Sequence, residues 1–117
     1  MATKPDCIFC QIIERRVPAT IVHQDDDVTA FRDLNPQMPV HVLLVPNDHV
    51  DNTEALEAEH DLQVGKLLRT ARVVAGEQGV AESGYRLVIN TGSDSLNTVP
   101  HLHVHLLGGR KMGWPPG

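Results

Sequence analysis

The 117-residue chain falls within the ~100–200 residues of one ordinary domain, and it is long enough to bury a core without disulfide staples. Apolar residues at 41% and charged residues at 21% are ordinary for a globular fold, but Phe, Trp and Tyr total only 3%, so the core must be aliphatic. Fifteen acidic against ten basic residues give −5, which argues against coating nucleic acid and leaves room for a small anionic ligand held by local donors.

No apolar run approaches the ~20 residues of a membrane span. The start, Met1-Ala2-Thr3-Lys4-Pro5-Asp6, lacks the apolar stretch of a secretory leader, so the expected setting is cytoplasmic. Ile8 to Arg15 reads as a short helix, with Asp6 as its N-cap and Pro18 beyond its end. Ile21–His23 and Val28–Arg32 read as strands joined by the polar turn Gln24-Asp25-Asp26-Asp27. Asn35-Pro36-Gln37-Met38-Pro39 must be a loop. Val40 to Val45 is almost continuously apolar, the mark of a central strand. From His60 to Gln78, the residues Val64, Leu67, Leu68, Ala71, Val74 and Ala75 form one stripe at helical period, and Gly79 follows as a stop. Tyr85–Asn90 is a further strand, Thr91–Pro100 a polar loop, and Leu102–Leu107 the last strand, ended by Gly108-Gly109. Strands that do not alternate with helices favour an antiparallel α+β fold.

The last strand carries the chemistry. His101-Leu102-His103-Val104-His105-Leu106-Leu107 alternates polar and apolar, so Leu102, Val104 and Leu106 should face the core. His101, His103 and His105 should then form a row, each ~7 Å from the next. Three imidazoles at strict alternation fit a zinc site, a nucleophile with its acid–base partner, or a phosphate cradle. The preceding Asn90-Thr91-Gly92-Ser93-Asp94-Ser95-Leu96-Asn97-Thr98 is dense in small donors suited to an anion, which makes phosphate beside a nucleophilic imidazole the most economical of the three.

This pattern resembles the signature of the histidine triad (HIT) superfamily of nucleotide hydrolases and transferases. Cys7–Ile13 and Phe31–His41 are similar to that family's start and nucleoside loop, and Leu107–Arg110 with Trp114-Pro115-Pro116-Gly117 resembles its nucleotide-binding Hint branch. The resemblance implies a single HIT domain over 1–117, with 108–117 as a C-terminal tail. It implies a five-stranded antiparallel sheet with one long and one or two short helices, dimerising into a ten-stranded sheet. The implied ligand is a purine nucleotide, such as adenosine or guanosine monophosphate. The implied activity is hydrolysis of a nucleotide P–N bond through a covalent nucleotidyl-histidine, without a catalytic cofactor. A non-catalytic nucleotide-binding regulator and a dinucleoside polyphosphate hydrolase are the alternatives. By position, His103 would be the nucleophile, His105 would contact phosphate and assist the leaving group, and His41 would support the triad. Asp33 would take the ribose hydroxyls, and Asn90, Asn97 and Thr98 would bind phosphate or leaving group. Hint-type chains usually carry Gly-Gly-Gln before Ser/Thr-Val and an aromatic residue; here Ser95-Leu96-Asn97 precedes Thr98-Val99, and Pro100 replaces the aromatic. Glycine permits conformations that Ser and Leu resist, so a reshaped loop is expected.

Cys7 and Cys10 share one face of the first helix. Three readings stand: small core residues, half of a tetrahedral zinc site, or a redox pair. The zinc reading rests on the resemblance, since some bacterial HIT proteins with this cysteine pair bind structural zinc; the matching positions, His49 and His101, would complete the site. His23 and His60 read as surface residues, Asp25-Asp26-Asp27 as a solvated turn, and Trp114 as an anchor that docks rather than stays in water.

Overall fold

The apolar runs of the sequence pair into one five-stranded antiparallel sheet in a computed structural model that describes residues 3–117. Met1 and Ala2, the first residues of the stretch read for a leader, lie outside it. The strands are β1 (Ile21–Gln24), β2 (Val28–Arg32), β3 (Val40–Pro46), β4 (Tyr85–Val88) and β5 (Val104–Gly108), in the order β1-β2-β3-β5-β4. A short helix, α1 (Ile8–Ile13), precedes the sheet, and a long one, α2 (Asp61–Glu77), lies between β3 and β4. Among the described residues no helix is long and apolar enough to cross a membrane.

The two helices cover opposite faces. Val28, Ala30, Val42, Leu44, Val104 and Leu106 pack with Leu67, Ala71, Val74 and Ala75 of α2. Successive strand residues point to opposite sides, so Phe31, Leu43 and Val45 meet Phe9, Cys10, Ile12 and Ile13 of α1 instead. This is why β3 is apolar at nearly every position: both of its faces are buried. By the same alternation His103 and His105 fall on the α1 face.

Several local expectations need correction. Cys7, not Asp6, caps α1, its sulfur accepting from the Cys10 backbone N–H. The helix stops at Ile13, and Arg15 closes it in the left-handed region at φ 59. Leu68 lies at the flank of its stripe and is 40% exposed. β4 ends at Val88 rather than Asn90, and β5 begins at Val104 rather than Leu102. The reason for the last is hydrogen bonding: the Leu102 N–H donates to Val50 O (2.6 Å) and the His101 N–H to Val99 O (2.9 Å), which pulls this segment away from β4.

A buried polar chain ties α1 to the β1–β2 hairpin. Gln24 Nε2 donates to Ile13 O and to Thr29 Oγ1, Thr29 donates to Asn47 Oδ1 (2.7 Å), and Asn47 Nδ2 donates to Asp25 O. Thr29 is fully buried and Asn47 nearly so. Replacing Thr29 by Val keeps the shape but leaves Asn47 without its donor, a loss of ~1–3 kcal/mol. We expect a lower denaturation midpoint at unchanged denaturant sensitivity for Thr29→Val, read by chemical unfolding.

Candidate active site and metal cluster

A cleft of about 310 Å³ opens on the α1 face. Phe9, Ile12, Ala19, Phe31 and Leu43 make one end apolar, with Asp33 beside it at the end of β2. His103 and His105 lie along its floor, and Asn90, Asn97 and Thr98 enter from the β4–β5 connection. All the residues read from the sequence as nucleotide-binding therefore line one cavity. Phe9, Ile8, Leu34 and Leu96 line it too and were not singled out by sequence reasoning; only the apolar side chains in otherwise polar loops hinted at the last two.

The histidines do not form one row. His103 and His105 are neighbours, with ring centroids 5.0 Å apart. His101, fully buried, turns its Nδ1 to the two cysteines and its Nε2 to Pro46 O, while the Phe9 ring contacts both His101 (5.9 Å) and His103 (5.1 Å) at steep angles. A zinc ion held by all three imidazoles is thereby ruled out as an arrangement of this fold. His41 takes the vacated place: it stands one strand over, diagonal to His105 in the β3–β5 register, where Leu43 pairs with His105 and His41 with Leu107.

Two backbone groups fix where every proton sits. His103 Nδ1 lies 2.7 Å from His101 O, which only accepts, so Nδ1 carries the hydrogen and Nε2 of the neutral ring keeps its lone pair. The Gln37 N–H donates to His41 Nδ1 (3.0 Å), so the His41 hydrogen is on Nε2. His41 Nε2 donates to His105 Nδ1 (2.9 Å), with Asp33 Oδ2 at 3.4 Å, and His105 is left with its hydrogen on Nε2. Burial lowers the pKa of His41 against the opposing pull of Asp33. Burial, then the neighbouring His103 and His41, lower that of His105 to about 4. Both rings are neutral at pH 7, as the hydrogen-bond chain requires. With His41 holding its Nε2 proton, the Asp33–His41–His105 group is poorly suited to a cation, although its ligand atoms lie within 4.8 Å of one another.

The loop before β5 keeps a sharp turn. Leu96 adopts the left-handed conformation (φ 63, ψ 30), held by bonds from its N–H to Ser93 O and from the Ser95 N–H and Oγ to Gly92 O. The backbone at 96 thus retains a conformation that glycine would take without strain. Asn97 Oδ1 is buried without a hydrogen-bond partner among the described residues.

Cys7, Cys10, His49 and His101 converge, their ligand atoms within 4.8 Å of one another. Cys7 Sγ is 3.3 Å from His101 Nδ1, and Cys10 Sγ is 3.4 Å from His49 Nδ1 and 3.6 Å from His101 Nδ1. A tetrahedral zinc ion with ~2.3 Å bonds to sulfur and ~2.0–2.1 Å bonds to nitrogen spaces sulfur and nitrogen by ~3.5 Å. The outer atoms agree with that chemistry. His101 Nε2 donates to Pro46 O (3.0 Å) and His49 Nε2 to Asp51 Oδ1 (2.7 Å), so both Nδ1 lone pairs face the sulfurs. The Lys4 and Cys10 N–H groups donate to the two sulfurs. Burial pushes the Cys10 thiol up and lowers His101 to about 4; a bound cation reverses the first and suits the second, because ligands must be thiolate and neutral imidazole. The donor set fits a structural divalent metal.

The remaining residues hold ordinary positions. His23 pairs with Asp25 (2.8 Å), whose other oxygen accepts from the Asp27 and Val28 N–H groups. His60 Nδ1 accepts from the Glu57 N–H beside α2. Trp114 is 82% exposed in the single chain, with the Arg86 guanidinium 5.7 Å over its ring.

The profile of the HIT domain family matches residues 14–112. The "14 kDa zinc-binding protein" of Brassica juncea is 49% identical over 96% of this chain and 100% of its own. The "Purine nucleoside phosphoramidase" of Escherichia coli strain K12 is 45% identical over 92% of this chain and 91% of its own. Among solved structures, a HIT family hydrolase from Legionella pneumophila Philadelphia 1 superposes with a TM-score of 0.93 at 41% identity, covering 96% of this chain and 100% of that one.

The depressed histidines set a pH dependence of stability. Between pH ~6.5 and ~4 the unfolded chain protonates an imidazole that the folded state keeps neutral, so stability falls as pH falls through that window. We expect the thermal midpoint to drop steadily from pH 7 to pH 4 and to drop less in His105→Gln, measured by calorimetry in matched buffers.

Proposed function

The chain belongs to the HIT domain family, and on that premise we propose that it is a purine nucleotide hydrolase that cleaves a nucleotide P–N bond through a covalent nucleotidyl-histidine. The observation that carries this reading is the opposite protonation of two adjacent rings: His103 offers a lone pair at Nε2 and His105 a proton at Nε2. A purine fits the apolar end of the cleft, and Asp33, with carboxylate lone pairs beyond those used by Asn35 N–H and His41, accepts the ribose hydroxyls. Asn90 and Thr98 donate to phosphate oxygens, whose charge grows in the transition state.

His103 Nε2 attacks phosphorus as the P–N bond breaks, and the departing amine takes a proton from solvent, relayed through the Thr98 hydroxyl, while His105 Nε2–H donates to a phosphate oxygen. The positive charge that gathers on the His103 ring is held by Nδ1–H on His101 O. Water then attacks the phosphorus, its proton returns to solvent by the same route, and nucleoside monophosphate is released with His103 restored. Each of these steps uses side chains and water. Asn97 lines the cleft beside Thr98, at the end where the leaving group departs.

Zinc at Cys7, Cys10, His49 and His101 is a second part of the proposal, supported by the four-ligand spacing and by the zinc-binding Brassica relative. With all four positions taken by protein it cross-links α1 to the segment before β5. We also read the free edge of β4, beside exposed Leu87, Ile89 and Trp114, as the seam of a homodimer with a ten-stranded sheet, and the compartment as cytoplasmic.

His103→Ala removes the nucleophile and little else. It should fold, bind adenosine monophosphate within a few-fold of wild type by calorimetry, and lose adenosine phosphoramidate turnover by about three orders of magnitude or more. Near-normal turnover would overturn covalent catalysis. For the metal, elemental analysis of protein purified without added zinc or chelator should find one zinc per chain, absent in Cys7→Ser, with a lower thermal midpoint in that variant. Metal-free wild type after zinc supplementation would return both cysteines to the core.

A further inference from the structure

Leu96 combines two locally unfavourable features. It is a non-glycine residue in the left-handed region, which L side chains disfavour, and the residue is 83% exposed. Four hydrogen bonds around Gly92 and Ser93 hold the turn, so the conformation is imposed rather than incidental. Such coincidences gather where a surface meets a ligand. Leu96 lines the cleft that holds His103 and His105, and the rim also carries Leu34, 89% exposed, and Ile8, 45% exposed. Three of the chain's large exposed apolar residues therefore border one cavity.

Strand order tells the ends of that cavity apart. The apolar end rests on β2 and β3, the histidines lie on β5, and the loop bearing Leu96 joins β4 to β5 at the sheet's other side. With the nucleoside at the β2–β3 end and phosphorus at the histidines, the group beyond phosphorus meets Leu96. Resting on the hydrolase reading above, we infer that Leu96 is a specificity-determining residue: an apolar lip that covers the leaving group and selects amines bearing an aliphatic or aromatic substituent. Covering the isobutyl group with such a substituent removes apolar surface of both from water, whereas ammonia or a charged amine leaves it wet. Asn97, next in sequence, lines the same cleft, so the two neighbours border the same end of it.

The experiment compares two adenosine 5′-phosphoramidates, one releasing phenethylamine and one releasing ammonia, in wild type, Leu96→Gly and Leu96→Asn. Both replacements tolerate the left-handed backbone, so both should fold with thermal midpoints no lower than wild type. Wild type should favour the phenethylamine substrate by about ten-fold in kcat/KM, the range open to a modest apolar contact. In both variants that ratio should fall towards one, with the change carried mainly by KM. An unchanged ratio in the variants, or equal kcat/KM for the two substrates in wild type, would overturn the lip while leaving the hydrolase reading intact. Failure of wild type to cleave either compound would overturn both.

Discussion

The whole site hangs on the placement of one residue, His101. Its carbonyl accepts from His103, its Nε2 donates to Pro46 O at the end of β3, and its Nδ1 faces the two sulfurs of the α1 segment. A single peptide unit thus links the central strand, the first helix and the ring with the free lone pair. Its complete burial makes each of those bonds strong, because no water competes for them. It also explains why the strand starts late: Val104 begins the ladder only after His101 and Leu102 have bonded elsewhere.

From that anchor the proton arrangement has one direction. Gln37, in the β2–β3 loop, donates into His41, His41 into His105, and His105 towards the cleft, while His103 donates backwards into the anchor. Both chains begin or end on backbone groups, which cannot change protonation. Neutrality of His41 and His105 follows from burial. The fold therefore holds a donor and an acceptor side by side without any ionised side chain between them, and Asp33 tempers the arrangement from 3.4 Å.

Much of this was legible in the residues. Continuous apolarity identified β3, helical period identified α2, and alternation placed Leu102, Val104 and Leu106 in the core. The family resemblance, rather than any local pattern, drew Cys7, Cys10, His49 and His101 together as a set, and their ligand atoms lie within 4.8 Å of one another. The row of three histidines failed because alternation holds only within a ladder, and His101 lies outside it. The pairing of His41 with His105 depends on register between strands 64 residues apart, which no local pattern encodes. The role of Cys7 as a cap was hidden because sulfur is not among the usual capping atoms. Leu96 in a left-handed turn runs against local propensity, and only the hydrogen bonds around it reveal why it is there.

Phe9 has a consequence of its own. Its ring meets His101 at 5.9 Å and His103 at 5.1 Å, so one side chain of α1 touches both the imidazole that faces the sulfurs and the imidazole in the cleft. The benzene ring is thus a shared wall: the packing that holds the imidazole beside the sulfurs and the packing that holds the ring with the free lone pair are the same packing. Thinning that wall to a smaller side chain would loosen both imidazoles at once, so the cluster and the cleft would lose their positions together.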